Sequence, residues 1–310
     1  MNTPLIYYAL SAVTVIIPFG ASVILWRKNK KNLLDWGLSA LCAGAAVLFA
    51  HFAGAWVFLT LYLRFISILF FVFALVKSYT GLKKRMIFST GAKTGSVGIN
   101  LRAAVILIFA VLNFFAIKGM FYKGDAVDLS FPLRGGTYSV VQGGSSQVTN
   151  FFHKQNPSET YALDIVKLGL SGRRAQGVYP ERLSYFNIYG EQIFSPCSGR
   201  VIKAVDGVFD NPTGEVNAIN PAGNHVIISC KGVNVIITHL ANNSLYVKTG
   251  ADVLTGQRLA IIGNSGDSLE PHLHIHAVKA SSQAATAEGI AVPITFNGKF
   301  LTMNNVFTAE

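Results

Sequence analysis

The sequence predicts an N-terminal all-α transmembrane bundle of about four helices followed by a C-terminal all-β domain of antiparallel sheet. Three observations predict this division. The first is charge: residues 1–122 carry twelve Lys/Arg and one acid, Asp35, whereas residues 123–310 carry fourteen of each sign. The whole net charge of +11 therefore belongs to the first half. The second is hydropathy, because the long uncharged apolar runs lie in that same half. The third is a change of pattern near Thr137, where short β-rich runs between Gly, Asn, Asp and Pro replace the apolar stretches. The expected organisation is a multi-pass anchor over 1–122, a linker over 123–136 and a folded domain over 137–310.

A bilayer crossing takes about 20 apolar residues in a helix. Leu5 to Trp26 meets that length and is followed at once by Arg27, Lys28, Lys30 and Lys31. Gly37 to about Trp56 is a second expected span, with Ala46, Ala50 and Gly54 at a spacing that lets helices approach closely. About Leu59 to Val76 is a third, and Arg64 near its start can extend to the interface. A basic stretch from Lys77 to Arg102, centred on Lys83, Lys84 and Arg85, precedes a fourth span from Ala103 to Met120. His51, alone in the second span with no acidic partner in any span, reads as a helix–helix hydrogen bond rather than an ion path.

The first span has its positive charges after it rather than before, and no convincing small-residue cleavage site follows. It is therefore read as an anchor and not as a secretory signal. Positive loops stay on the cytoplasmic side, so the two basic loops belong there. With four spans, both the N-terminus and residues 123–310 fall on the outer side of the cell membrane. The basic charge thus reads as topology charge, with the lipid bilayer as partner, and not as a nucleic-acid footprint. Cys197 and Cys230 lie in the polar half without CxxC spacing, which argues against a cysteine zinc site. A Cys197–Cys230 disulfide and two buried free thiols both accord with the sequence.

In the polar half the expected strands are 138–141, 161–167, 199–205, 225–230, 233–239, 258–262 and 272–278. A hairpin is expected across Ile294–Leu301, where Asn297-Gly298 suits a two-residue turn. Side chains alternate faces along a strand, so His272, His274 and His276 share one face. Neutral imidazole is the commonest metal ligand and shuttles protons near neutral pH. Asp164 sits among apolar strand residues, where an acid is costly to bury unless paired or bound to metal. His153, His225 and His239 place six of the seven histidines in this half. Catalytic zinc takes three N/O ligands and leaves a position open, which Asp164 with two histidines would satisfy. There is no G-x-S-x-G elbow and no phosphate-binding Gly-x4-Gly-Lys-Ser/Thr loop.

Asp164, Ser195–Val201, Gly223-Asn224-His225-Val226, Thr238-His239-Leu240, Val247–Gly250, Gly256-Gln257, Gly263-Asn264-Ser265-Gly266 and Pro271-His272-Leu273-His274 occur in a distinctive order. This order resembles the M23 (LytM/lysostaphin-type) zinc metallopeptidases over about Gln142 to Val278. The resemblance implies an M23/LytM-type sheet domain, a Zn2+ cofactor, and hydrolysis of peptide bonds in peptidoglycan bridges or stems. It implies that His274 and Asp164 bind zinc and that His272 and His239 act in catalysis. The family's usual first ligand is a His four residues before the Asp, and here that residue is Thr160, a poor zinc ligand. The candidate replacement is His153, eleven residues before Asp164. The alternative is a degenerate site in a binding module that activates other wall hydrolases. His276, about 6–7 Å further along the strand, and His225 are expected beside the site as outer partners of the ligands. No protein partner is indicated.

Overall fold

A computed structural model describes residues 3–27, 30–86, 95–279 and 287–310. The chain forms two compact units, Leu5–Ile117 and Lys118–Glu310, the latter together with residues 1–4.

The first unit is helical: α1 (Thr3–Trp26), α2 (Leu33–Ala53), α3 (Tyr62–Met86) and α4 (Ser96–Lys118). All four are long and apolar enough to cross a membrane. The boundaries differ from the expected spans for local reasons. Helix α2 begins four residues before Gly37 because Asn32 caps it, accepting from the Asp35 amide at 2.8 Å. Asp35, buried in that first turn, is neutralised by Arg102 of α4 at 2.5 Å. Lys83 and Lys84, expected in a loop, continue α3, since Lys is a good helix former once outside the apolar layer. Arg64 donates to His51 Nε2 at 3.1 Å across α2 and α3. Asn113 of α4 donates to the Ala45 carbonyl of α2 at 2.9 Å. Residues 87–94, within the expected basic stretch, lie outside the described residues.

The second unit carries thirteen strands among the described residues. They are β1 (Val127–Leu129), β2 (Gly136–Gln142), β3 (Leu163–Leu168), β4 (Gln192–Phe194), β5 (Gly199–Val205), β6 (Asn224–Cys230), β7 (Val233–Leu240), β8 (Asp252–Val253), β9 (Arg258–Ile261), β10 (Leu273–Lys279), β11 (Ile290–Val292), β12 (Ile294–Phe296) and β13 (Val306–Ala309). The main sheet runs β13-β2-β3-β10-β7-β6-β5-β8, with β11 also on β10, and every pairing in it is antiparallel. Two small sheets, β4-β9 and β1-β12, complete the unit, and β1-β12 is parallel.

Alternation along the central strands separates core from site. Leu163, Ile165, Ile237, Leu273 and Ile275 enter one hydrophobic core with Val140, Val201, Val226 and Ile228. Each such side chain contributes about 1.5–3 kcal/mol when fully buried. The intervening Asp164 and His274 take the opposite face. A disulfide joins Cys197 and Cys230, both buried beside that core. The Asn297-Gly298 turn forms with left-handed φ of 51° and 72°. Its second arm makes one bridge, Phe296 to Lys299, while β12 pairs with β1.

A candidate metal centre on the central strands

Strand β10 lies between β3 and β7, and its register sets the site. His274 is opposite Asp164 on one side and opposite Thr238, the neighbour of His239, on the other. Adjacent strands are about 4.8 Å apart, so three chain segments meet within reach of one ion. His272 stands immediately before β10 on the same face.

His153 arrives differently, on a 3-10 turn over His153–Gln155. The buried Asn150 organises this loop, its amide nitrogen lying 3.0–3.3 Å from the carbonyls of Gly144, Thr160 and Ala162. Its Oδ1 accepts from His153 Nδ1 at 2.8 Å. His153 Nε2 is then left 3.4 Å from Asp164 Oδ2. Thr160 contributes its backbone carbonyl to Asn150.

The other histidines are anchored in the same way. His239 Nδ1 lies 2.8 Å from the Ser265 carbonyl and His272 Nδ1 2.8 Å from the Glu270 carbonyl. Carbonyls only accept, so in both rings Nδ1 carries the proton and Nε2 is left to the site. His272 Nε2 lies 3.2 Å from Asp164 Oδ1. His274 uses the opposite nitrogen: Nε2 lies 2.9 Å from His276 Nδ1, and Nδ1 lies 3.0 Å from Asp164 Oδ1. His239 adopts φ 61°, a conformation that non-glycine residues seldom adopt, at the irregularity in the β6–β7 ladder between Ile237 and Leu240. The loop behind it is tight: Gly266, at φ 85°, leaves no room for a Cβ, which would sit 2.4 Å from the Pro221 carbonyl.

The electrostatics centre on Asp164. Burial opposes its charge, yet His153 and His272 beside it hold its carboxyl well below the usual carboxylate range. In return, against the effect of burial, Asp164 pushes His153 up and His272 up to about 9. His239 goes the other way, held neutral by burial and by the neighbouring His272 and His274. Burial and His274 likewise depress His276.

Among the described residues, two donor sets could hold a metal, with one ligand atom from each residue and all within 4.8 Å: His153, Asp164 and His274, or His239, His272 and His274. The first set fits zinc chemistry well, with two imidazoles, one carboxylate and an outer partner on each ring. His225 is in neither set among the described residues, and its Nδ1 turns to the Gly223 carbonyl at 2.8 Å. The groups that sequence reasoning did not single out are the outer anchors Ser265 for His239 and Glu270 for His272; Asn150 stood out only as a neighbour of His153 in the sequence and not as its hydrogen-bond partner. The Gly263–Gly266 motif was the one available signal for Ser265.

Residues 182–286 match the family model of Peptidase family M23. That span includes His239, His272 and His274 but begins after His153 and Asp164. No curated protein matches the chain. Among solved structures, a chain of the SpoIIQ-SpoIIIAH pore-forming complex is similar at 15% identity over 54% of this chain and 89% of that one, with a TM-score of 0.33. A zinc-containing peptidase from Vibrio cholerae is similar at 21% identity, over 49% of this chain and 36% of that chain, with a TM-score of 0.28. The catalytic domain of lysostaphin from Staphylococcus simulans is similar at 23% identity, over 34% and 77%, with a TM-score of 0.19.

Proposed function

We propose that this chain, which carries an M23 family domain over residues 182–286, is a membrane-anchored zinc metalloendopeptidase that hydrolyses peptide bonds in peptidoglycan bridges or stems. The observation that carries this reading is the outward anchoring of four imidazoles. His153, His239, His272 and His274 each commit one ring nitrogen to an outer partner at 2.8–2.9 Å, which frees the other for the space around Asp164.

In this reading His153 Nε2, Asp164 and His274 Nδ1 hold the metal. Zinc bound there would polarise the scissile carbonyl and acidify the attacking water. His239 and His272 are each set to take up or return a proton at Nε2, because their Nδ1 protons are committed to backbone carbonyls. His239, depressed by burial and by its His272 and His274 neighbours, suits the accepting role. His272, with Nε2 3.2 Å from Asp164 Oδ1 and its Nδ1 proton on the Glu270 carbonyl, suits an interaction with the oxygen on which negative charge develops. His276 orients His274, and His225 on β6 is anchored to the Gly223 carbonyl.

The domain works outside the cytoplasm. The charge distribution of the helical unit supports this, and so does the Cys197–Cys230 disulfide, since such bonds persist in oxidising compartments. The test is zinc content and cleavage of a peptidoglycan stem or bridge peptide by the full-length protein. About one zinc per chain, with cleavage lost in His274→Ala and Asp164→Ala, is expected. Full cleavage by a zinc-free Asp164→Ala protein would overturn the mechanism.

Thr160, at the usual first-ligand position, motivates a second reading as a non-catalytic module that activates other wall hydrolases. Wild-type protein without bound zinc and without cleavage would favour it.

A further inference from the structure

In the β domain, a buried ion pair lies outside the metal-ligand sets. Arg174 is 1% exposed, and its guanidinium grips Glu270 with both arms, Nε to Oε1 at 2.8 Å and Nη2 to Oε2 at 2.6 Å. Nη2 also donates to the Val178 carbonyl at 3.0 Å. The two residues are 96 positions apart, so this fork ties the excursion between β3 and β4 to the loop that precedes β10.

A buried pair of this kind is weak support for stability. Its desolvation cost is large, and well-packed apolar residues often do as well. Its position is more informative. The Glu270 carbonyl is the acceptor that fixes the His272 Nδ1 proton, at 2.8 Å. Ser268 Oγ lies 2.9 Å from the same carbonyl. Between Glu270 and His272 stands only Pro271, which locks its own φ and restricts the residue before it to extended backbone. The Glu270 side chain, its carbonyl and the His272 ring are therefore linked through few free torsions.

We propose that Arg174 and Glu270 are positioning residues for the peptidase reaction: their buried fork orients the Glu270 carbonyl, which sets the tautomer and direction of His272. The inference rests on the peptidase reading given above. It assigns a specific task to the segment between β3 and β4, which aims a proton-transfer group that it does not itself contain.

The experiment uses full-length protein in detergent with the double variant Arg174→Met/Glu270→Met, which replaces the pair by apolar side chains of similar length. The expected result is a folded protein with wild-type zinc content, unchanged KM and a kcat lowered by about 10²-fold, the scale of a small misplacement of a reacting group. In 15N-histidine NMR spectra, the slowly exchanging Nδ1 proton of His272 should disappear while that of His239 remains. Arg174→Lys, which keeps the charge but loses the fork, provides a second folded variant with the same direction of change. Wild-type kcat together with an intact His272 resonance in either folded variant would overturn the inference and leave the peptidase reading standing. Loss of the peptidase reading itself would appear separately, as cleavage by zinc-free Asp164→Ala protein.

Discussion

His276 Nδ1 lies 2.9 Å from His274 Nε2, and both rings are buried. An imidazole that gives one nitrogen to a metal needs a partner at the other to fix its tautomer, and loss of such partners typically costs about 10–100-fold in metal affinity. His276→Ala is therefore expected to weaken zinc binding by about that factor, read by competition with a chromophoric chelator. His276→Gln keeps an acceptor and should recover part of the loss. Equal affinity in wild type and His276→Ala would show that the third histidine of the strand is only a neighbour.

The first ligand gives the sharpest contrast between two residues. His153 faces Asp164 at 3.4 Å, whereas Thr160 offers the centre only its carbonyl, through Asn150. His153→Ala should abolish stoichiometric zinc, a greater loss than the about 10–100-fold expected for an outer partner. Thr160→Ala should leave zinc content unchanged. Metal analysis of the two purified variants decides the matter, and the reverse result would move the ligand to Thr160.

Asn150 holds the His153 loop at one end and the His153 ring at the other. Asn150→Ala leaves the carbonyls of Gly144 and Ala162 without this donor, at a cost of about 1–3 kcal/mol. The prediction is a lower unfolding temperature together with weaker zinc binding. Asn150→Asp should recover neither fully, since a carboxylate accepts from His153 but cannot donate to the carbonyls.

The pH dependence of the chelator-stripped protein follows from His272. In the folded protein its pKa is pushed up to about 9 from an ordinary 6.5 by the Asp164 carboxylate, against burial. A raised folded pKa gives stability that is fully present below the unfolded value and is lost as pH rises through the folded one. The unfolding temperature of stripped protein should thus fall between pH 6.5 and about 9, and His272→Ala should flatten that decline. A wild-type decline no steeper than that of His272→Ala would contradict the assignment. Thermal unfolding across this range provides the measurement.

The Cys197–Cys230 bond closes a loop with a sequence separation of 33 in the β domain. A bond of this type typically contributes about 2–4 kcal/mol. Cys197→Ala/Cys230→Ala should lower the unfolding temperature without changing zinc content. A thiol assay under denaturing conditions should find a single free cysteine, Cys42, in untreated wild-type protein.

Much of this arrangement is legible in the sequence because its signals are local. Strand β5 runs over the expected 199–205, and β6, β7 and β10 differ from expectation by about one residue at their ends. Period-two alternation placed His272, His274 and His276 on one face before any register was known. The limits of the helices were less legible. Asp35 reads as a charge that a span must exclude, and its pairing with Arg102, 67 positions away, makes it compatible with its own burial in the first turn of α2. The parallel β1-β12 pair and the Arg174–Glu270 fork were illegible for the same reason. Each joins residues far apart in the chain, and nothing local to either partner names the other.

The candidate ligands His153, Asp164 and His274 come from a loop, from β3 and from β10, and β10 reaches its place only by pairing with both β3 and β7. No short piece of the chain therefore holds the ion alone. On the proposed reading this sets an order of events: the β domain would complete its central sheet before it binds metal, so loading would follow folding and a nascent chain would be inert. With such a geometry the ion would be a ligand of the native state alone, so that supply of the metal, and not synthesis of the polypeptide, would time the onset of the proposed activity.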